Sequence, residues 1–414
     1  MKKRAAKMFH TKDGDGCFME LVHNGKLAQQ LLEEAINSRA SDVHVEPLGR
    51  EVRVRMRIDG LLQELCSLPW SSYTTLVSQL KVLSGMDIAE KRLPQDGRWQ
   101  LNVAERVIDL RLSTLPTITG EKVVVRILDQ EQGVRRLEDI GMSSANLRRY
   151  RQMYGAANGL LLLTGPTGSG KTTSLYATLQ ELKQEGLNLV TVEDPVEYKL
   201  EGINQVAVNR KSGLDFATGL RSLVRQDPDI IMVGEIRDRE TAAMAVQAAL
   251  TGHLVLSTLH TNSAVGAVAR LLDMGVEPYL LAAALRGVLA QRLVRRICAH
   301  CAASYTPSPQ ELRFLAPAAP ALLRRGEGCE HCRGTGFCGR LAVQELLPVD
   351  EYMGDLISAG AGKAALLSHG ASLGWRSLYA DAVDKVLAGQ TTVSELWRVG
   401  ITGDTVAQEV KNVH

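Results

Sequence analysis

One octapeptide constrains this 414-residue chain more than anything else in it: Gly165-Pro166-Thr167-Gly168-Ser169-Gly170-Lys171-Thr172. It fits the pattern G-x-x-x-x-G-K-[ST]. An apolar run, Leu160 to Thr164, precedes it, and a stretch with helical spacing, Thr173 to Lys183, follows. Strand, glycine-rich turn and helix in that order make a phosphate-binding loop. The glycines let successive backbone N–H groups turn toward phosphate oxygens, and the helix N-terminus adds the positive end of its dipole. Gly165, Pro166, Thr167, Gly168, Ser169, Gly170, Lys171, Thr172 and Thr173 are therefore candidate ATP-binding positions. Lys171 is expected to reach the β- and γ-phosphates, and the Thr172 hydroxyl to ligate Mg²⁺. Further apolar runs at Leu187–Val192, Ile230–Val233 and Leu254–Ser257, with helical stretches between them, predict a parallel sheet of an α/β fold.

Three clusters fall at the ends of these runs, where a parallel sheet binds its ligands. Thr191-Val-Glu-Asp-Pro-Val-Glu197 offers Glu193, Asp194 and Glu197, which could orient water and Mg²⁺. Asp227-Pro-Asp-Ile-Ile-Met-Val-Gly-Glu235 is an apolar strand closed by a carboxylate, the Walker B pattern. Glu235 is expected to hold and polarise the attacking water. The segment Thr251 to Asn262 places His253 and His260 on either side of a strand, where both could sense the γ-phosphate.

Upstream, residues 1–20 read as a polar, flexible lead. Residues 21–133 read as a small α+β domain, and 134–142 as a linker to a core over 143–297. In the small domain, Lys26–Asn37 has helical spacing, and Val52-Arg-Val-Arg-Met-Arg-Ile58 alternates with strict period two. Asp59-Gly60 then reads as a hairpin turn. A helix is predicted over Tyr73–Leu83, with strands over Trp99–Val103, Val107–Leu112 and Lys122–Leu128. Of the seven cysteines, Cys298-x-x-Cys301 and Cys329-x-x-Cys332 can give four thiolates to one tetrahedral Zn²⁺. Such a site has no open position, so its role is structural. It defines a module over 298–341, in which Cys338 could compete as a ligand. Residues 342–414 read as helical, anchored by Leu346, Leu356, Leu366, Leu378 and Trp397.

A net charge of +2 and 4% aromatic residues give no case for nucleic acid as a partner. The longest apolar stretch, Tyr279 to Val294, carries Arg286, Gln291 and Arg292 and falls short of the ~20 apolar residues of a membrane helix. No secretory signal is read at the N-terminus. The expected location is the cytosol, with membrane association through a partner.

As a set, these residues resemble the ATPases that drive type II secretion and type IV pilus assembly, the GspE/PilB-like group. The likeness runs from about Ala35 and includes Ala40-Ser-Asp-Val-His-Val-Glu-Pro47, Arg57-Ile-Asp-Gly60, Arg92-Leu-Pro-Gln-Asp-Gly-Arg98 and Ser113-Thr-Leu-Pro116. It continues through the phosphate loop, the acidic cluster, Leu223 to Asp238, the segment ending at His260, Gln291-Arg-Leu-Val-Arg-Arg296 and the four cysteines. The resemblance implies a RecA-like P-loop NTPase core, a smaller PAS-like N-terminal domain, a zinc module and a helical C-terminal region. It implies a homohexameric motor, cytoplasmic and peripheral at the inner membrane, that hydrolyses ATP between its N-terminal domain and core. Arg111, Arg126, Arg221 and Arg225 match family arginines thought to reach the phosphates. An inner-membrane platform protein and a membrane-anchored recruiter are the implied partners. Longer members carry extra N-terminal domains, whereas about twenty residues precede the first predicted domain here. Cys338 and Gln344 stand where the family often has an aromatic. A DNA-uptake pilus motor remains an alternative. The retraction branch lacks the four cysteines, low charge and few aromatics weigh against a zinc-ribbon NTPase acting on nucleic acid, and Lys171, Thr172, Glu193 and Glu235 together weigh against a ring that does not hydrolyse.

Overall fold

The computed structural model describes residues 26–103, 106–129, 135–316 and 320–403. The expected lead, residues 1–20, and Cys17 lie outside them. The chain divides into two compact units, 1–133 and 134–414.

In the first unit, α1 (Leu27–Asn37) is followed by β1 (Ala40–Leu48), β2 (Glu51–Ile58), β3 (Leu61–Leu68), α2 (Trp70–Leu83), β4 (Gln95–Val103), β5 (Arg106–Thr117) and β6 (Gly120–Asp129). The strands form one antiparallel sheet in the order β3-β2-β1-β6-β5-β4. The period-two pattern explains the layering. Val52, Val54 and Met56 enter the core with Leu31, Leu32, Leu76 and Leu80 of the two helices. Arg53, Arg55 and Arg57 take the other face. Asp59 and Gly60 both have positive φ, 49° and 88°, as a two-residue type I′ hairpin requires. Strand β5 runs well beyond the apolar stretch that predicts it. Its ladder with β6 continues to Thr117↔Gly120, so pairing extends past the covered core.

The second unit contains α3 (Ser144–Tyr154), β7 (Gly159–Thr164), α4 (Lys171–Leu182), β8 (Leu189–Glu193), β9 (Asn204–Ala207), α5 (Phe216–Leu223), β10 (Ile230–Val233), α6 (Arg239–Leu250), β11 (Leu254–Leu259), α7 (Ala264–Asp273), α8 (Pro278–Ala284) and β12 (Leu285–Ile297). The cysteine region adds β13 (Ala302–Tyr305), α9 (Pro309–Leu315), β14 (Leu323–Gly326) and β15 (Phe337–Pro348). Helices α10 (Glu351–Ser358), α11 (Lys363–Ser372), α12 (Leu378–Leu387) and α13 (Val393–Arg398) follow. Seven strands form one sheet in the order β15-β12-β7-β11-β10-β8-β9, parallel except for β15. The unbroken leucines of β7 reflect burial on both faces. Leu160 and Leu162 join one core, with residues of α5 to α8, and Leu161 and Leu163 join the other, with residues of α3 and α4.

Two expectations differ from what is observed. Leu137, Ile140 and Met142, in the stretch read as a linker, are buried in the α3–α4 core. Residues 342–348, read as helix, belong to strand β15, which pairs with β12 from Gly287↔Pro348 to Arg295↔Arg340. The run Leu341 to Leu347 is buried throughout, so it has no period of its own to reveal a strand. Leu346 is buried as expected, but within the sheet.

Candidate nucleotide and metal sites

Strand β7 lies between β11 and β12, and the phosphate loop leaves its C-terminal end at Thr164. Gly165 and Gly170 have φ of 150° and 88°. A Cβ at Gly165 would lie 2.4 Å from the carbonyl oxygen of Gln291, so only glycine lets the loop pass this close to β12. Pro166, Thr167, Gly168 and Thr172 are exposed at the mouth, Thr173 is half-buried and Ser169 is buried. The Lys171 ammonium curls back and donates to the carbonyls of Gly165, at 2.7 Å, and Pro166, at 3.2 Å. Burial depresses it to about 8, against the opposing pull of Glu235 and with the aid of Arg292. A pocket opens beside the loop, with Arg135, Gly170, Thr173, Leu293, Arg340 and Ala342 in its wall.

Glu235 follows β10 and is 9% exposed. One oxygen pairs with Arg237 at 2.6 Å, and the other lies 3.2 Å from His260 Nε2. Strands β10 and β11 are parallel neighbours, so their C-terminal ends bring Glu235 and His260 together. Glu193 ends β8 on the same sheet edge and is held by three donors: Tyr176 Oη of α4, Thr191 Oγ1 at 2.6 Å and Gln205 Nε2 at 3.1 Å. That leaves it fixed rather than poised over water. Burial and the facing Glu193 carboxylate push the Tyr176 phenol far above its usual range, which keeps it a donor. Asp194 is exposed and pairs with Arg210 at 3.1 Å. The Glu197 N–H donates to Tyr176 Oη at 3.3 Å.

His253 is not at this edge. It precedes β11, and its carbonyl accepts from Gly159 N–H at 3.1 Å, at the start of β7. Its ring lies 2.9 Å from the Ala248 carbonyl. The six-residue length of β11 separates it from the loop by roughly 20 Å, so His253 is not a phosphate sensor.

The expected arginines fall in two places. Arg221 and Arg225 are exposed at the end of α5, where Arg221 pairs with Glu240 and Arg225 donates to the Arg221 carbonyl at 2.7 Å. In the first unit, Arg111 of β5 stands directly opposite Arg126 of β6 and Arg98 of β4. Three guanidinium groups thus lie side by side on one sheet face, with Asp42 next in the row, 3.4 Å from Arg126. Like charges set directly across strands are unfavourable unless an anion joins them. Arg98 ends the Arg92–Arg98 motif, and its place in this row is set by strand register, which the motif alone does not show.

The four cysteines expected to bind metal converge. Cys298, Cys301, Cys329 and Cys332 have all sulfurs within 4.8 Å of one another. Three of the separations are 3.9, 3.7 and 3.7 Å. Four sulfurs at ~2.3 Å from a central tetrahedral ion would be spaced roughly 3.8 Å apart, so the set fits a metal. Backbone N–H groups of Cys329 and Gly336 donate to Cys332 Sγ at 3.1 and 3.2 Å. Cys338 lies outside the set, with its sulfur 3.5 Å from His331 Nε2. His300 and His331 stack on each other at 4.1 Å. Replacing Cys329 and Cys332 together by serine is expected to abolish stoichiometric metal in elemental analysis and to lower the melting temperature by several degrees. A parent protein free of metal would remove this reading.

Residues 21–398 match the family described as Type II/IV secretion system protein. The chain is 49% identical over 376 residues to the type II secretion system protein E of Pseudomonas aeruginosa, covering 90% of this chain and 75% of that one. It is 47% identical over 375 residues to the type IV pilus assembly ATPase PilB of Thermus thermophilus, covering 90% of this chain and 42% of that one. Among solved structures, the pilus retraction motor PilT with bound ADP superposes with a TM-score of 0.61 at 23% identity, over 92% of this chain and 98% of that one. That likeness is one of fold.

Proposed function

The chain belongs to the type II/IV secretion system protein family and is an ATPase of the kind that drives secretion and pilus assembly, and from that premise we propose how its residues divide the work. ATP places its terminal phosphates in the Gly165–Thr173 loop, and Lys171 exchanges its two carbonyl partners for the β- and γ-phosphates. The nucleoside part enters the pocket walled by Thr173 and Arg340. Thr172, with Asp194 and Glu197 on the acidic turn, would hold Mg²⁺, which when bound draws charge from the phosphates. Glu235 polarises the attacking water, and Arg237 and His260 fix the orientation of its carboxylate. Glu193 acts one layer back, locking α4 to β8 through Tyr176. Arg221 and Arg225 supply guanidinium charge to the γ-phosphate as its bond breaks, and the row Arg98, Arg111 and Arg126 on the first unit offers guanidinium charge to an anion.

In this reading the chain works as a homohexamer, cytoplasmic and peripheral at the inner membrane. It engages a platform protein and a membrane-anchored recruiter, with Zn²⁺ as the ion of the cysteine module. Hydrolysis moves rigid units and powers assembly of a pilus or pseudopilus. The observation that carries the reading is the convergence of Lys171, Glu235 and His260 at one edge of the sheet. Purified protein is expected to release phosphate from Mg-ATP at a rate unchanged by DNA. Strong stimulation by DNA would favour a nucleic-acid-dependent NTPase instead.

A further inference from the structure

Behind the phosphate loop lies a buried amide pair to which the loop motif gives no role. Gln291 is on β12, one residue past Ala290, which pairs with Thr164 at the end of β7. It therefore arrives level with the start of the loop, and it is 1% exposed. Its amide nitrogen donates to the Ser169 carbonyl at 2.7 Å. Its amide oxygen accepts from Ser174 Oγ at 3.0 Å and from the amide nitrogen of Gln344 at 3.0 Å. Gln344 faces Gln291 across the β12–β15 ladder and is also 1% exposed. The Gln344 backbone N–H donates at 2.7 Å to Asp381 on α12, whose carboxylate is paired with Lys385.

The consequence follows from peptide geometry. In a trans peptide the carbonyl and the following N–H point in opposite directions. The Ser169 carbonyl and the Gly170 N–H belong to one such unit. Drawing that carbonyl back toward β12 turns the Gly170 N–H forward, to the side where the loop receives a phosphate. Gly170 has a φ of 88°, and a Cβ there would fall 2.8 Å from Gln291 Nε2, so loop and amide are fitted to each other. Through Ser174, in the first turn of α4, the same amide also fixes the helix N-terminus relative to the loop.

We propose that Gln291 is a positioning residue for nucleotide binding, one that presents the Gly170 N–H and the N-terminus of α4 to the terminal phosphates, and that Gln344 holds Gln291 in the orientation that does so. This rests on the assignment of the loop as the nucleotide site. A purely structural polar pair would contribute to stability and leave the affinity of folded protein untouched.

The test compares the parent with Gln291→Met, Gln291→Glu, Gln344→Met and the double methionine variant. Methionine keeps length and shape but neither donates nor accepts as an amide does. Glutamate keeps the acceptors and loses the donor. The readouts are Kd for a fluorescent ATP analogue with Mg²⁺, KM and kcat for ATP, and melting temperature. Gln291→Met is expected to raise Kd roughly tenfold, the effect of a lost and misdirected hydrogen bond, with KM rising more than kcat falls. Gln291→Glu is expected to do at least as much. Gln344→Met gives a smaller rise, and the double variant is no weaker than Gln291→Met alone, because Gln344 acts only through Gln291. Parent-like Kd and KM in either Gln291 variant, whatever the melting temperature, would overturn the proposal. So would additive losses in the double variant, or parent-like Kd in a folded Gln344→Met. A parent that binds no nucleotide would instead overturn the assignment of the loop, and this proposal with it.

Discussion

Lys171→Ala removes ATP turnover and weakens nucleotide binding by roughly a hundredfold or more, because the lysine's charge-assisted bonds to the phosphates have no substitute in the loop. The loss is not one of folding. The Lys171 ammonium is buried and donates to two loop carbonyls, and burial lowers its pKa from 10.5 to about 8. A lysine whose folded pKa lies below its unfolded pKa favours the unfolded chain wherever it is charged, and only between the two values does the unfolded state bind more protons, so only there does stability rise with pH. Its unfavourable contribution is full below about 8 and fades as pH rises toward 10.5. The alanine variant should therefore melt no lower than the parent at pH 7 without nucleotide, and the difference between them should shrink as pH rises through that window. Titration with a fluorescent nucleotide and a melting series from neutral to alkaline pH measure both effects. Turnover at the parent rate would show that Lys171 does not touch the nucleotide.

Glu235→Gln separates chemistry from binding. The amide keeps an acceptor for Arg237 or His260 but carries no charge with which to polarise water. Hydrolysis should slow by roughly 10²–10⁴-fold, the usual range for a lost general base, while nucleotide affinity changes little. Single-turnover phosphate release measures the first, and equilibrium binding the second. If affinity is lost while the chemical step survives, Glu235 is part of the binding shell and the base lies elsewhere.

The phosphate loop was legible because its spacing carries its mechanism. The apolar run before it signals a strand buried on both faces, and the glycines signal close approach of backbone to an anion. The cysteine pairs were legible for a similar reason, since their spacing is the geometry of a ligand set. Strand β15 was not legible, because an apolar run buried throughout reads equally as helix. Arg98 and the Gln291–Gln344 pair were hidden for another cause. Their partners are set by the register of β4 on β5 and of β12 on β15, and register is not written in either strand alone. His253 was misplaced although order along the chain held the answer. It precedes β11, so in a parallel sheet it belongs to the edge opposite the loop that leaves β7.

Strands β12 and β15 pair continuously from Gly287↔Pro348 to Arg295↔Arg340, and the cysteine region departs and returns between them. Topologically that region is an overgrown hairpin turn, closed at its base first by the ladder and then, just beyond the strand ends, by four sulfurs. Variation in its length or content therefore need not shift the sheet that carries the loop. One fold can acquire, enlarge or discard such an appendage while its engine stays unchanged.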